Sequence, residues 1–413
     1  MIQRFRKKTY DFLRWGEKYT KTDNVYLAKG GFWLVVGQIF SAVSALILSV
    51  VFANILSPQL FGTYRYVLAM FAILTIPSLG GINTSVIGAV TRGFDGTLPA
   101  AVKIKFRWSA LGSLGSLGIA VYYLLQSNSE LASAFLILGI FLPFMESFSL
   151  FDSYLQGKKD FRLSSIFNTT GQVVSVVSLT ATVLLTDKLF LIILAYLLPW
   201  SISRFVFYKI LNKKITNPSV ESDSLTFGKH LSVMGIIATI ANYLDKLVLF
   251  NFIGAAELAA YTIIIAAPEQ IKGILKITSS LALPRFAERE NVEIKRALHH
   301  KMFTFFLISV VFVVLYIIFA PILFSTFFPK YIEFVKHSQI FALSTVAVIG
   351  SLPSAFLQAK NEKIKLYKFS LITHISQIIF IIFGVYFLGL WGIIWARILG
   401  RVVSVSALSW LTR

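Results

Sequence analysis

Residues 189–214 read LFLIILAYLLPWSISRFVFYKILNKK. The twenty residues 189–208 carry one charge, Arg204, and Lys209, Lys213 and Lys214 follow at once. A helix rises about 1.5 Å per residue, so about twenty apolar residues cross a bilayer core of roughly 30 Å. Lysines gathered at one end mark the cytoplasmic side, because cytoplasmic loops carry the excess of Lys and Arg. The stretch therefore predicts a membrane-spanning helix that ends inside the cell.

The same pattern extends in both directions. Apolar spans fall at about 30–55, 64–90, 108–126, 131–155, 165–186 and 189–208, then at 229–253, 257–281, 302–327, 338–358, 367–387 and 389–410. Every second connection is basic: Arg92, Lys103, Lys105 and Arg107; Lys158, Lys159 and Arg162; Lys209, Lys213 and Lys214; Arg285, Arg289, Lys295, Arg296 and Lys301; Lys360, Lys363, Lys365 and Lys368. Only Lys188, Lys330 and Lys336 fall on the other side. Alternation of this kind puts both termini in the cytoplasm. The expected fold is all-α, a polytopic protein of about twelve transmembrane helices in the cytoplasmic membrane of a bacterium or archaeon.

Composition agrees. Of 413 residues, 56% are hydrophobic and 14% charged, and the mean hydropathy is +0.75. That leaves too few polar residues to cover a soluble globule of this size. The net charge of +20 sits in short connections rather than on one face, which argues against nucleic acid as a partner. Cysteine is absent and histidine numbers five, so neither disulfides nor a metal site is expected, and no cofactor. The first thirty residues lack the apolar core of a signal peptide. Ile2 to about Tyr19 interleaves basic residues with Phe5, Phe12, Leu13 and Trp15, the pattern of an amphipathic helix on the cytoplasmic leaflet.

Four segments follow: a basic amphipathic stretch at 1–29, a six-helix half at 30–208, a cytoplasmic linker at 209–228 and a second six-helix half at 229–413. Asn217, Pro218 and Ser219 interrupt helix in the linker. The halves look like a repeat. Leu155-Gln156-Gly157-Lys158 is matched by Leu357-Gln358-Ala359-Lys360, and Asn54 with Gly62-Thr63-Tyr64 by Asn251 with Ala259-Ala260-Tyr261. Parallel repeats of six spans are a transporter architecture with the substrate site between the halves.

Several of these segments resemble the polysaccharide (O-antigen and exopolysaccharide) flippases of the Wzx type. That family lies in the superfamily of multidrug, oligosaccharidyl-lipid and polysaccharide exporters. The opening helix from Leu27 to Gln38, the turn Leu56-Ser57-Pro58-Gln59-Leu60-Phe61-Gly62-Thr63-Tyr64, and Asn242-Tyr243-Leu244-Asp245-Lys246-Leu247 with Ile253-Gly254 carry the likeness. The two Leu-Gln loops and Gly389-Leu390-Trp391-Gly392 complete it. Ala259 departs from the family's usual Gly, and twelve spans stand where fourteen are common. The resemblance implies a MATE-like fold and a flippase that moves undecaprenyl-diphosphate-linked oligosaccharide for surface polysaccharide biosynthesis. Its implied partners are that lipid-linked substrate, membrane lipids and a polysaccharide polymerase.

Ionisable residues inside spans are unfavourable unless they face water or a partner, which makes each a candidate. A diphosphate calls for Arg and Lys, a sugar for amides, hydroxyls and aromatic faces. Glu269, Lys272 and Lys276 share one face of the eighth span, with Glu269 about 18 Å from its outer end. Lys246 on the seventh span and Arg397 and Arg401, one turn apart on the twelfth, join Lys272 and Lys276 as candidate lumen cations. Arg397 and Arg401 equally suit neutralising Glu269 or Asp245. Glu269, Asp245 and Glu146 are candidates for ion coupling or structural pairing, Glu146 as a proton carrier. Arg65 reads as snorkelling to the outer headgroups, and Asp152 and Arg204 as interfacial.

No G-x-x-x-x-G-K-[ST] occurs, so energy is expected from an ion gradient, the membrane potential or product consumption. An ion-coupled multidrug antiporter is the nearest alternative, but its cavity should be acidic. A major-facilitator carrier lacks support because Thr91-Arg92-Gly93-Phe94-Asp95-Gly96 is not its G-x-x-x-D-R-x-G-R-R type loop. A glycan polymerase or lipid-linked glycosyltransferase needs a sizeable outer loop, and all outer connections here are short. The sequence points away from an enzyme.

Overall fold

The computed structural model describes residues 24–288, 291–360 and 362–412. The basic segment expected as an interfacial helix between Ile2 and Tyr19 lies outside them. The described residues form helices α1 (Asn24–Ile55), α2 (Pro58–Leu74), α3 (Gly81–Thr91), α4 (Thr97–Leu125), α5 (Ser129–Phe148), α6 (Leu150–Gly157), α7 (Phe161–Leu185) and α8 (Leu189–Asn212). They continue as α9 (Ser222–Phe252), α10 (Ala255–Glu288), α11 (Asn291–Phe327), α12 (Val335–Leu343), α13 (Ser351–Ala359) and α14 (Lys363–Leu411). Eleven elements are long and apolar enough to cross a membrane. The last, of 49 residues, is broken at Gly389 (φ 56°, ψ −128°), which makes it two passages and the total twelve. This is a multi-pass membrane protein.

Lipid offers backbone groups no hydrogen-bond partners, so each passage closes its own ladder and each turn supplies caps. Ser57, Asn128 and Asp160 accept from the backbone N–H three residues on, at the starts of α2, α5 and α7. Gly389 takes a backbone conformation that a side chain disfavours, and Gly392 beyond it lies against the Gly384 carbonyl. Large exposed apolar side chains, such as Ile382 and Phe383 on α14, Ile318 and Phe319 on α11 and Val121 on α4, form the outer surface. On a soluble protein they would be anomalous; here they face lipid.

Three passages are interrupted. The second consists of α2, a 3-10 turn at Ile76–Ser78 and α3. Pro77 removes a backbone donor there, Leu79 sits at φ 61°, and the Thr75 and Ser78 hydroxyls donate to the carbonyls of Ala72 and Thr75. The fourth passage breaks at Ser149 between α5 and α6, and the tenth at the 3-10 turn Ser344–Gly350 between α12 and α13. The third passage begins at Thr97 rather than near 108. Lys105, expected in a basic connection, is therefore inside a helix and fully buried.

Packing differs between the two ends of the bundle. At the end away from the basic connections, one core joins early and late passages: Phe52, Phe61 and Tyr64 share it with Leu249, Leu258, Tyr261, Phe324 and Ile393. Tyr66 stacks on Phe250 with centroids 3.9 Å apart. Asn54 Nδ2 donates to the Phe327 carbonyl (2.8 Å), and Lys330 Nζ donates to the Asn54 carbonyl (2.7 Å). At the basic end the core divides. One cluster is built around Ile82, Phe151 and Leu211, and another around Leu275, Val348 and Leu408. The bundle is a wedge, joined at one end and, apart from the contact of α3 with α9, parted at the other.

The seam that crosses the whole depth is α2 and α3 against α9 and α10. Near its basic end, the residues between α8 and α9 cross the turn between α3 and α4. The Gly96 N–H donates to the Asn217 carbonyl (2.9 Å), and Arg92 donates to both oxygens of Glu221 (3.0 and 2.5 Å). That guanidinium holds the Glu221 carboxyl below the usual carboxylate range. The contact is thus present above the ordinary carboxylate pKa and lost as pH falls through the lowered folded value. At the joined end, a Cβ on Gly62 would lie 1.7 Å from the Ala255 carbonyl oxygen, whereas a Cβ on Gly118 meets open space. Gly62→Ala should destabilise the detergent-solubilised protein by about 1–3 kcal/mol, as overpacking does, and Gly118→Ala should not. Thermal unfolding of the two variants side by side checks this.

Candidate functional site

The parted end of the wedge encloses a cavity of about 720 Å³. It reaches from Phe52, Tyr64 and Arg65 beneath the joined core to Gly37, Gln156 and Ser164 near the basic ends of α1, α6 and α7. One wall is built from α1, α6 and α7, with Gln38, Ser41, Ser49, Asn168, Thr169, Gln172 and Ser175 facing inward. The other is α9 and α10, which contribute Lys246, Thr262, Glu269 and Gln270. Tyr196 and Trp200 of α8 lie at the side. Amides and hydroxyls on helices that are otherwise apolar are costly against lipid and well placed against water, so this lining marks a wet chamber.

Two cations occupy its deep end. Arg65 lies seven residues into α2 and Lys246 six residues before the end of α9, each about 10 Å of helix from the joined surface. Neither forms an ion pair among the described residues. The Arg65 guanidinium lies 5.2 Å from the Phe61 ring centroid with its Nε unbonded, and Lys246 Nζ lies 4.7 Å from the Tyr243 ring centroid. They come from opposite sides of the seam and face one chamber.

The other candidate cations are placed differently. Arg397 donates through Nε and Nη2 to Asp245 Oδ2 (3.0 and 2.5 Å), which also accepts from the Tyr261 hydroxyl (2.6 Å). Asp245 is fully buried and Arg397 nearly so, and neither lines the cavity. Arg401 pairs with Glu269 and donates to the Ser344 hydroxyl at the break of the tenth passage. Lys272 Nζ donates to the second Glu269 oxygen (3.2 Å). Of the two readings of Arg397 and Arg401 that the sequence leaves open, carboxylate pairing is the one the geometry displays. Lys276 is exposed near the basic end, away from the cavity lining. The physical reason is a count: two deep carboxylates in the later passages need cations, and the arginines opposite supply them before any substrate does.

Glu146 is not a lone carboxylate. It accepts from the buried Lys105 ammonium (3.3 Å) and from Ser78 (3.1 Å), and Lys105 also donates to Asn83 Oδ1 (3.1 Å). Its partner came from a residue that alternation of charged loops had assigned to a connection. Two further residues depart from expectation. Arg65 points into the chamber rather than to the headgroups. Asp152 is a hub on the cavity wall, accepting from Gln156 Nε2 (2.7 Å), Asn168 Nδ2 (2.8 Å) and the Ser164 hydroxyl. Arg204 donates to the Met145 carbonyl (2.6 Å) and lies over Trp200. The available signal for Arg65 was its repeat counterpart, Thr262 beside Tyr261, which lines the opposite wall.

Fold and cavity define a multi-pass membrane protein with a polar chamber between its helices. The chain belongs to the polysaccharide biosynthesis protein family, whose model matches residues 27–290. No curated protein sequence matches it. Among solved structures, the lipid II flippase MurJ in an inward closed conformation aligns at TM-score 0.68 and 15% identity, over 91% of this chain and 86% of that one. An inward-facing multidrug resistance MATE family transporter of the MOP superfamily aligns at TM-score 0.64 and 15% identity, over 92% and 93%. A MOP superfamily transporter from Pyrococcus furiosus Vc1, described as having a binding pocket of reverse polarity, aligns at TM-score 0.60 and 14% identity, over 93% and 94%. At these identities the likeness is one of fold.

The absence of native cysteine makes the wet chamber directly testable. Ser41→Cys and Gln172→Cys should react with a charged, membrane-impermeant thiol reagent in open vesicles. Ser109→Cys and Ser147→Cys, at fully buried positions, should stay unlabelled over the same interval.

Proposed function

We propose that this protein is a flippase that moves undecaprenyl-diphosphate-linked oligosaccharide across the cytoplasmic membrane, by alternating access between two six-helix halves. The observation that carries this reading is the pair Arg65 and Lys246, one from each side of the seam, converging on a polar chamber without carboxylate partners among the described residues. A polyprenyl diphosphate is an anion that lipid excludes, and unpaired cations in a polar cavity replace the water it loses. The amide and hydroxyl wall of α1 and α7 and the aromatic faces of Tyr196 and Trp200 suit the attached sugars. Membership of the polysaccharide biosynthesis protein family supports the same cargo.

The basic connections orient the parted end toward the cytoplasm, where such a substrate is assembled. On this reading the chamber loads from inside, and closing the basic end while parting the joined one delivers the headgroup outside. Asp245–Arg397 and Glu269–Arg401–Lys272 are positioning pairs: they hold α14 against α9 and α10 and keep the later wall rigid. Glu269 lines the chamber with two cations on its carboxylate, so the deep end stays basic overall. That balance opposes a cationic drug as cargo.

Arg65→Ala and Lys246→Ala should each lower surface polysaccharide by about tenfold or more while leaving the amount of protein in the membrane unchanged. Arg397→Ala should instead lower membrane abundance, because it strands Asp245 as a buried unpaired charge at about 3–5 kcal/mol. Immunoblots of membranes read beside polymer on the cell surface separate the two outcomes. Normal polymer in both Arg65→Ala and Lys246→Ala would end the flippase reading.

A further inference from the structure

The chamber has a charge polarity along its length. Its deep end holds Arg65 and Lys246; its wall near the basic end holds Asp152. Asp152 lies five residues before the end of α6, about 8 Å of helix from that surface, and has no ion pair among the described residues. Lys158, six residues on and just past the end of α6, is turned away to Asp95 at 2.7 Å. Asp152 is nevertheless built in. Gln156, Ser164 and Asn168 each donate to it, from α6 and α7.

An ionised carboxylate offers about four lone-pair positions, and three are used here. All three donors are neutral, so none of them cancels a carboxylate charge. Oδ2 takes only Gln156, and Asp152 lines the end of the chamber where its polar neighbours are the neutral Gln156, Ser164 and Asn168. A group docking there would be attracted as a hydrogen-bond donor or a cation and repelled as an anion.

We infer that Asp152 is a specificity-determining residue, which selects saccharides bearing hydroxyl or ammonium groups and rejects those bearing carboxylates. The inference rests on the flippase reading above, in which the diphosphate sits at Arg65 and Lys246. The glycan then extends along α1 and α7 toward Asp152, and the two ends of the chamber orient the substrate. The favoured cargo is a lipid diphosphate whose glycan contains neutral or amino sugars, and uronic acids are excluded.

The test uses full-length protein in proteoliposomes. Undecaprenyl-diphosphate is supplied with one neutral oligosaccharide, or with the same oligosaccharide carrying a uronic acid, and inward-to-outward movement is measured for each. Wild type should move the neutral form at least about tenfold faster than the acidic one. Asp152→Asn, which keeps the shape of the hub, should bring the acidic form to within about threefold of the neutral one. Asp152→Glu should retain discrimination, which a purely structural role would not predict. Equal movement of both forms by wild type would overturn the role of Asp152 and leave the flippase reading intact. So would unchanged discrimination in Asp152→Asn. Movement of neither form by wild type would overturn both.

Discussion

A charge drawn into the hydrocarbon interior must be paired or wetted, and this constraint sorts most of the deep charged groups among the described residues. Asp245 with Arg397, Glu269 with Arg401 and Lys272, and Glu146 with Lys105 satisfy it by pairing. Arg65, Lys246 and Asp152 satisfy it by facing the chamber. The two solutions serve different ends. A paired group has its field largely cancelled and contributes shape; a wetted group keeps its field and is available to cargo. Dividing the groups in this way separates scaffold from site without appeal to any relative.

Two of these clusters also sit where helices are interrupted. Glu146 accepts from Ser78 in the 3-10 turn that splits the second passage, and Arg401 donates to Ser344 in the turn that splits the tenth. A broken helix in a membrane exposes backbone groups that water cannot reach, so polar side chains gather at the break. Glu146 with Lys105 thus stands beside one interruption, and Glu269 with Arg401 and Lys272 beside another. Of these two interrupted passages, the second borders the chamber through Tyr64, Arg65 and Leu68.

Fold alone does not choose a cargo, since the same architecture appears in a lipid II flippase and in multidrug transporters. The choice lies in the lining. Here the deep end is cationic, the long wall is amide and hydroxyl, and one carboxylate stands near the basic end. That order of chemistries is what the proposed cargo, an anionic headgroup with sugars attached, calls for.

Much was decided by the sequence on its own. Apolar runs of bilayer length force helices, because no other open structure closes its hydrogen bonds in lipid, and lysines and arginines in alternate connections imply the topology. Glu269, Asp245 and Lys246 could be singled out because a charge within such a run is rare enough to need a reason. What the runs could not show was which charge meets which. Arg397 and Arg401 were equally suited to a phosphate or to a carboxylate, and only the packing of α14 against α9 and α10 awarded them to Asp245 and Glu269. Lys105 looked like a loop residue because hydropathy does not register a polar side chain buried against another. Arg65 and Asp152 lie within a few turns of a span's end, where sequence favours the interface, and only the wedge shape turned them inward. Local composition determines that a segment enters the membrane; the partner across the bundle is a long-range fact, and it decides whether a charge is structural or free to act.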